Sequence, residues 1–414
     1  MPNKEKLQKY AEITVKMGLH LREGQKVRIL SDIACAEFAR MCALEAYKAG
    51  STGVVFDWTD DRSAKYKYLY ADDHFVMDTQ PFVLDRLLFM DKEDYAYLWI
   101  DSMDPFAYEG ADPERVSKAQ TAYRKAIRPH SLNTSGNRVT WSIVAIPSPG
   151  WAKTVFPDAK DDDEAVERLY DAIFKAVRLD EDDPVAAWNS HMKTLETNAA
   201  WLNEMDFEAI HIQTGIGTDL TVGLAKDNLF CAARDRRANA DMRWFIPNMP
   251  TEEVFGTPDK NNINGHVKSS MILNHDGSLV KGLELWFENG RIVKYDAEEG
   301  IETLKGIIET DEGARSLGEI ALVPTKSPIS ESGIFFYNTL FDENAACHLA
   351  IGDSYPSCIK NGTELSREEL TARGANESAI HVDFMFGTPD ATITGITKDG
   401  RRVPIFVNGN WAER

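Results

Sequence analysis

A change of rhythm partway along the chain constrains its fold more than any other feature. In the second half, three Xaa-Gly dipeptides sit between runs of strand-forming residues. Asp276-Gly277 lies between Val267–Leu273 and Leu279–Phe287, Asn289-Gly290 between Leu283–Phe287 and Ile292–Tyr295, and Asp399-Gly400 between Ala391–Thr397 and Val403–Val407. Asn, Asp and Gly tolerate positive φ at the centre of a two-residue turn, and such turns match the twist of two antiparallel strands. These signals predict a β-rich, antiparallel half with a helix around Gly300–Thr310. The first half instead interleaves helical spacing (Lys4–Leu21, Cys35–Ala49, Phe82–Phe89, Pro113–Ile127) with short apolar runs (Val27–Leu30, Gly53–Trp58, Ala96–Asp101, Val139–Ile146). That alternation predicts an α/β unit with a mainly parallel sheet. Acidic, helix-rich sequence from Asp158 to Asn203 separates the two halves. The expected organisation is an α/β N-terminal domain over residues 1–195, followed by a β-rich α+β domain with antiparallel hairpins over residues 196–414.

Charge narrows the range of partners. The 414 residues carry 46 Lys+Arg against 66 Asp+Glu, a net charge of −20. This balance argues against binding to nucleic acid or to anionic membrane surfaces, both of which attract basic patches. The five cysteines (Cys35, Cys42, Cys231, Cys347, Cys358) form no C-x-x-C pair. Cys35 and Cys42 fall in an apolar helical pattern, so they read as buried thiols in a reducing compartment. The first residues, Met1 to Leu21, read as a charged amphipathic helix rather than a signal peptide. With no run of about 18 apolar residues to span a membrane, the expected location is the cytoplasm.

The commonest catalytic signatures are missing. The chain has no H-E-x-x-H, no phosphate-binding G-x-x-x-x-G-K-[ST] and no G-x-S-x-G elbow. Thr214-Gly215-Ile216-Gly217-Thr218-Asp219-Leu220 begins like a dinucleotide fingerprint, but Leu220 occupies the third glycine position and the segment lies in the β-rich half. It reads as a plain turn.

What remains is a set of imidazoles and carboxylates. His381-Val382-Asp383 lies in Ala379–Phe386, a run with strand character. Side chains two apart on a strand share a face, so both can approach one ion; an Asp orienting a His, or a solvated strand face, explains the same pair. Glu343-Asn344-Ala345-Ala346-Cys347-His348 leads on to Gly352-Asp353-Ser354-Tyr355-Pro356. Glu343 and His348 would lie about 140° apart on a helix and on opposite faces of a strand. They converge only if the chain turns between them; otherwise the segment is an ordinary loop with His348 capping or packing. Asn248–Phe255 approaches a strand through Pro250, and alternation aims only one of Glu252 and Glu253 inward. Leu317–Val323 sets the single Glu319 ahead of an apolar run, an unfavourable place for a charge unless something neutralises it. A strand-end Glu facing water accounts equally well for these last two segments. Oxygen and nitrogen donors without thiolate suit Zn²⁺, Co²⁺ or Mn²⁺ rather than a Cys-rich structural site. Several carboxylates with two His suit a pair of ions about 3.5–4 Å apart. The residues alone read as a metallohydrolase.

At these segments the chain resembles the thermophilic aminopeptidase family, co-catalytic metallopeptidases of the aminopeptidase T and aminopeptidase S type. The likeness is carried by NMPTEEVF (Asn248–Phe255), LGEIALV (Leu317–Val323), NAACHLAIGDSYP (Asn344–Pro356) and IHVDF (Ile380–Phe384), in the family's order and with its separations. It extends over essentially the whole chain, although the first half matches only in general α/β character. The resemblance implies metal ligands at Glu253, Glu319, Glu343, His348, His381 and Asp383, although Glu343 fits equally well as a residue that supports a ligand without touching the metal. It prefers Glu253, directly before Val254, to Glu252, and it implies that Tyr355 stands beside the metals. It also implies two divalent ions per chain, short peptides as substrates, and a homodimer whose partner helps enclose the site.

Ordinary metal chemistry then gives an expected mechanism. Two dications lower the pKa of a shared water toward about 7, and the resulting hydroxide attacks the first peptide carbonyl. Glu253 is the expected carrier of the proton to the leaving amine, and the Tyr355 phenol the expected oxyanion donor. Two other classes compete with this reading. A binuclear phosphoesterase uses the same donors but wants a cation to clamp phosphate, and none adjoins His381-Val382-Asp383. A non-catalytic acidic binding protein would keep these His and Glu residues for structure alone.

Overall fold

A computed structural model describes residues 3–238, 241–275 and 277–414. The chain divides into two compact units, one formed by Met1–Trp188 with Arg234–Pro250 and the other by Asn189–Ala233 with Thr251–Arg414.

The first unit is built on a four-stranded, all-parallel sheet in the order Val54–Thr59, Val27–Asp32, Ala96–Asp101, Trp141–Ala145. The two central strands are buried along most of their length, as expected of parallel strands covered on both faces. Helices Lys4–Ile13, Ala36–Lys48, Pro81–Lys92 and Pro113–Ala126 fall where the apolar spacing predicts them. Packing between elements is aromatic: the buried Tyr10 ring lies 5.1 Å from Phe38 and 6.5 Å from Phe174. Four shorter helices, Asp61–Tyr70, Asp73–Met77, Arg128–Ser135 and Pro149–Val155, escape the periodicity reading. Three of them are marked locally by a capping side chain (Asp60, Asp72 or Ser148) that accepts a backbone N–H of the first turn. Cys35 and Cys42 are buried thiols, as predicted.

The second unit is antiparallel. Its eight-stranded sheet runs Arg291–Asp296, Glu284–Glu288, Pro258–Lys268, Asp219–Leu224, Phe207–Gln213, Thr392–Thr397, Arg402–Val407, Asn410–Trp411. The predicted turns have three different outcomes. Asn289 and Gly290 have φ of 49° and 83° between the paired Glu288 and Arg291, a two-residue hairpin as predicted. Asp399-Gly400 is instead the end of a three-residue loop. Thr397 and Arg401 close it, and only Gly400, with φ 82°, is left-handed. The Gly277 turn joins Leu273–His275 to Ser278–Val280, a separate two-stranded sheet, while Asp276 lies outside the described residues. Asn408-Gly409, with φ of 50° and 67°, makes a further two-residue turn between Val407 and Asn410 that the sequence reading passed over. Helix Ile301–Ile308 matches the helix expected there. Thr214–Thr218 closes a turn between two strands, in keeping with its plain reading. The fold class is as expected: a parallel α/β part followed by an antiparallel, β-rich part. Among the described residues, no helix is long and apolar enough to cross a membrane.

Candidate metal centre

The second sheet of this unit supplies the platform. Its order is His381–Met385, His348–Gly352, Leu317–Leu322, Val254–Gly256, Cys231–Ala232, with every pairing antiparallel. Glu319 stands opposite Ala350, which stands opposite Asp383. One row along, Gly352 stands opposite His381; one row the other way, His348 stands between Ala321 and Met385. Directly opposed residues share a face, as do residues two apart on one strand. Glu319, His348, His381 and Asp383 therefore emerge together. The small residues Ala350 and Gly352 on the middle strand leave the space above it to the long side chains on either side.

A β-bulge decides which way Glu319 points. Leu317 pairs with Ile351 but Glu319 pairs with Ala350, so Gly318 is the extra residue. In an unbroken ladder Glu319 would share the face of Leu317 and Ile351, away from the histidines; one inserted residue turns it over. Only glycine fits there, since a Cβ on Gly318 would come within 2.1 Å of the Asp353 carbonyl oxygen. Glu253 directly precedes Val254, which pairs with Leu322. Glu253 therefore stands just ahead of the strand that neighbours the Glu319 strand.

The side chains converge on two triads. Glu253, Glu319 and His348 have donor atoms within 4.8 Å of one another, and so do Glu319, His381 and Asp383. His348 Nε2 is 3.1 Å from Glu253 Oε2 and 3.7 Å from Glu319 Oε1. His381 Nε2 is 3.4 Å from Glu319 Oε2 and 3.3 Å from Asp383 Oδ1. Glu319 thus directs one oxygen to each triad. Both imidazoles are fixed from behind: His348 Nδ1 meets the Ala346 carbonyl at 3.2 Å, and His381 Nδ1 meets the Asp353 carbonyl at 2.7 Å. A carbonyl only accepts, so each Nδ1 carries the proton and each Nε2 faces the triads, the orientation of a metal-ligating histidine held by its outer partner.

Electrostatics explain why this arrangement calls for cations. Burial pushes Glu253 up, more than the hydrogen bond from His348 lowers it. Burial acts the same way on Glu319 and Asp383, but the two histidines more than offset it, and both carboxyls end below their usual range. Both histidines rise well above theirs: burial lowers each, but Glu253, Glu319 and Asp383 outweigh it at His348, and Tyr355 followed by Asp383 and Glu319 outweighs it at His381. Among the described residues, no Lys or Arg forms an ion pair with Glu253, Glu319 or Asp383; two imidazoles are their only basic partners. Buried carboxylates facing one another without a fixed cation are costly. Dications bound by oxygen and imidazole nitrogen remove that cost, so the donor set fits metal.

The remaining predicted residues lie around this cluster. Glu343 is buried at the start of a one-turn 3₁₀ segment, and the chain turns between it and His348 as their convergence requires. It belongs to neither triad. Its carboxyl is raised well above the usual range, first by burial and then by the charges of Glu253 and Asp383. Tyr355 lies with its ring 4.8 Å from that of His381. One expectation fails. Glu252 and Glu253 are both buried, so strand alternation does not sort them. The strand begins only at Val254, and Glu252 is held apart, its N–H donating to Asn344 Oδ1 at 2.6 Å and its carboxylate 3.6 Å from His191 Nε2. The water-facing alternative for Glu319 and Glu253 fails with it. His191 and Asn344 were not singled out from the sequence. Asn344 stands within the NAACHLAIGDSYP segment, but an amide between two apolar residues and a Glu carries no spacing signal.

Comparison with known proteins agrees with this geometry. Residues 3–411 match the thermophilic metalloprotease family, M29. The chain is 41% identical over 412 residues to aminopeptidase PepS of Streptococcus thermophilus, covering 99% of each. It is 41% identical over 408 residues to aminopeptidase T of Thermus aquaticus, covering 98% of each. The solved structure of wild-type AmpT from Thermus thermophilus superposes with a TM-score of 0.92 at 37% identity, covering 99% of this chain and 100% of that one. By its whole-length match and its buried His and carboxylate cluster, the chain belongs to the thermophilic metalloprotease (M29) family and is a metal-dependent peptidase.

Proposed function

We propose that this metalloaminopeptidase removes the N-terminal residue of short peptides with two divalent cations, Zn²⁺, Co²⁺ or Mn²⁺. One is held by Glu253, Glu319 and His348, the other by Glu319, His381 and Asp383. Glu343 serves as a further ligand or as support for Glu253. The observation that carries the reading is the Glu319 carboxylate, with one oxygen toward His348 and the other toward His381. Bound there, the cations supply an activated water and polarise the scissile carbonyl.

The protein's own groups do the rest. The Ala346 and Asp353 carbonyls hold the two imidazoles in the ligating tautomer. Glu253, whose carboxyl burial has raised, carries a proton from the attacking water to the leaving amine. The Tyr355 hydroxyl, which His381 pulls down but burial and the carboxylates Glu319, Asp383 and Glu343 together raise above its ordinary range, donates to the developing oxyanion. The surplus of carboxylates favours a free α-ammonium group, which confines cleavage to the first residue. The chemistry lies in residues 196–414 and leaves 1–195 as a non-catalytic α/β domain.

Hydrolysis of leucine anilide that is lost with chelator and restored by Zn²⁺ or Co²⁺, with no hydrolysis of nitrophenyl phosphate, is the expected result. The reverse preference makes the protein a phosphoesterase, and fewer than about one bound ion per chain with no metal rescue makes it a binding protein. The protein is expected to work in the cytoplasm as a homodimer. Large exposed aromatics on the first unit's helices, among them Tyr70 (81% exposed), Phe75 (62%) and Phe82 (67%), support an association surface. A fully active monomer in sedimentation contradicts the dimer.

A further inference from the structure

We infer that Asn344 is a positioning residue that ties the Glu253 segment to Glu343 and so sets the separation of the two carboxylates at one side of the metal centre. The inference rests on the proposed ligand roles of those two residues. Asn344 is completely buried. Its Oδ1 accepts the Glu252 N–H at 2.6 Å, and its Nδ2 donates to the Leu340 carbonyl at 3.0 Å and, at a longer 3.4 Å, to Glu343 Oε1. The orientation of the amide follows from chemistry: a backbone N–H only donates, so the oxygen faces Glu252 and the nitrogen faces the two acceptors.

The Glu252–Glu253 segment has no strand pairing of its own until Val254. Its backbone next to the first triad is therefore held by this side chain rather than by a ladder. On the other side, Glu343 sits in a one-turn 3₁₀ segment, too short to orient a carboxylate by itself. A single amide serves both because it has an accepting end and a donating end about 2 Å apart. The near-isosteric Asp keeps the acceptor but loses the donor, and it sets a like charge against Glu343. A second contact separates support of the metal centre from support of the fold. Ser327 Oγ donates to the Asn344 backbone carbonyl at 3.1 Å without touching the carboxamide.

The test is the affinity of the full-length protein for Co²⁺, read by visible absorption with chelator competition, in wild type, Asn344→Ala, Asn344→Asp and Ser327→Ala, each alongside its melting temperature. Expected is a loss of affinity of roughly 10- to 100-fold, the scale for outer partners of metal ligands, in both Asn344 variants, with Ser327→Ala losing stability but no affinity. If Asn344→Ala does not fold, Asn344→Asp decides. Wild-type affinity in the folded Asn344 variants, or an equal loss in Ser327→Ala, overturns the inference. Absence of Co²⁺ binding by the wild type would instead overturn the metal centre itself.

Discussion

Two groups of acidic side chains gather at the sheets of this molecule, and they answer to different physics. In the first unit, Asp32, Asp60, Asp61 and Asp101 border a cavity of about 610 Å³ that is also walled by Trp99 and Trp141. Most of these carboxylates have local backbone duties: Asp32 accepts the Ala34 N–H at 2.8 Å, Asp60 that of Arg62 at 3.1 Å, and Asp101 that of Met103 at 3.1 Å. In the second unit, Glu319 and Asp383 rise from within strands, and their ion-pair partners are imidazoles. A carboxylate that caps a turn has its backbone partner at hand, although the other Asp32 oxygen, Oδ2, is buried without a hydrogen-bond partner. A buried carboxylate facing other acceptors needs a cation. Acidic clustering does not separate the two regions; the partners do.

The largest expected effect that would test this contrast is at His381. His381→Ala removes one triad while leaving His348 in place. It should cut anilide hydrolysis by at least about a hundredfold, the cost associated even with outer metal partners, and lower bound metal by one ion per chain. Full metal content by elemental analysis would break the assignment. Tyr355→Phe comes next. Loss of an oxyanion donor predicts a fall in kcat of about a hundredfold with metal content unchanged; loss of metal would make Tyr355 a ligand.

The acidic cavity should respond in stability rather than in chemistry. Burial first, and then the charge of Asp32, pushes the Asp61 carboxyl up to about 6 from the usual 3.8. The folded protein therefore keeps a proton that the unfolded chain has released. This contribution is intact below about pH 3.8, is lost as pH rises to about 6, and stays lost above that. Asp61→Asn should accordingly raise the melting temperature at pH 7 and leave it unchanged at pH 3, with metal content unaltered. An equal effect at both pH values contradicts the shift. The smallest change is Asp32→Ala, which removes a cap worth about 1 kcal/mol and should leave hydrolysis untouched in a steady-state assay. A loss of bound metal there would erase the distinction between the two regions.

The sequence revealed each region to a different depth, for physical reasons. Alternating helices and parallel strands are legible because their periodicities are local, and Asn289-Gly290 is legible because two consecutive residues need positive φ. Asp399-Gly400 misleads because the same dipeptide also ends a three-residue loop. His381 and Asp383 can be paired from strand spacing alone. Glu319 can be suspected as a charge in an apolar run, but its direction depends on the Gly318 bulge, which shows only against the partner strand. Glu343 and the Glu252–Glu253 pair could be marked as candidates, but the choice of Glu253 and the ligand role of Glu343 came only through resemblance, since their approach to the triads is set by segments without regular structure. Asn344 was missed for a related reason: its role lies in contacts with Glu252, 92 residues away in sequence, and no periodicity encodes that.

The most direct test of the account is metal stoichiometry with and without Glu319. Purified protein is reconstituted with Zn²⁺, desalted and analysed for metal per chain beside the Glu319→Ala variant. Two ions are expected in the wild type and neither in the variant, because one carboxylate serves both triads. A wild type that holds at most one ion, or a variant that keeps both, would contradict it.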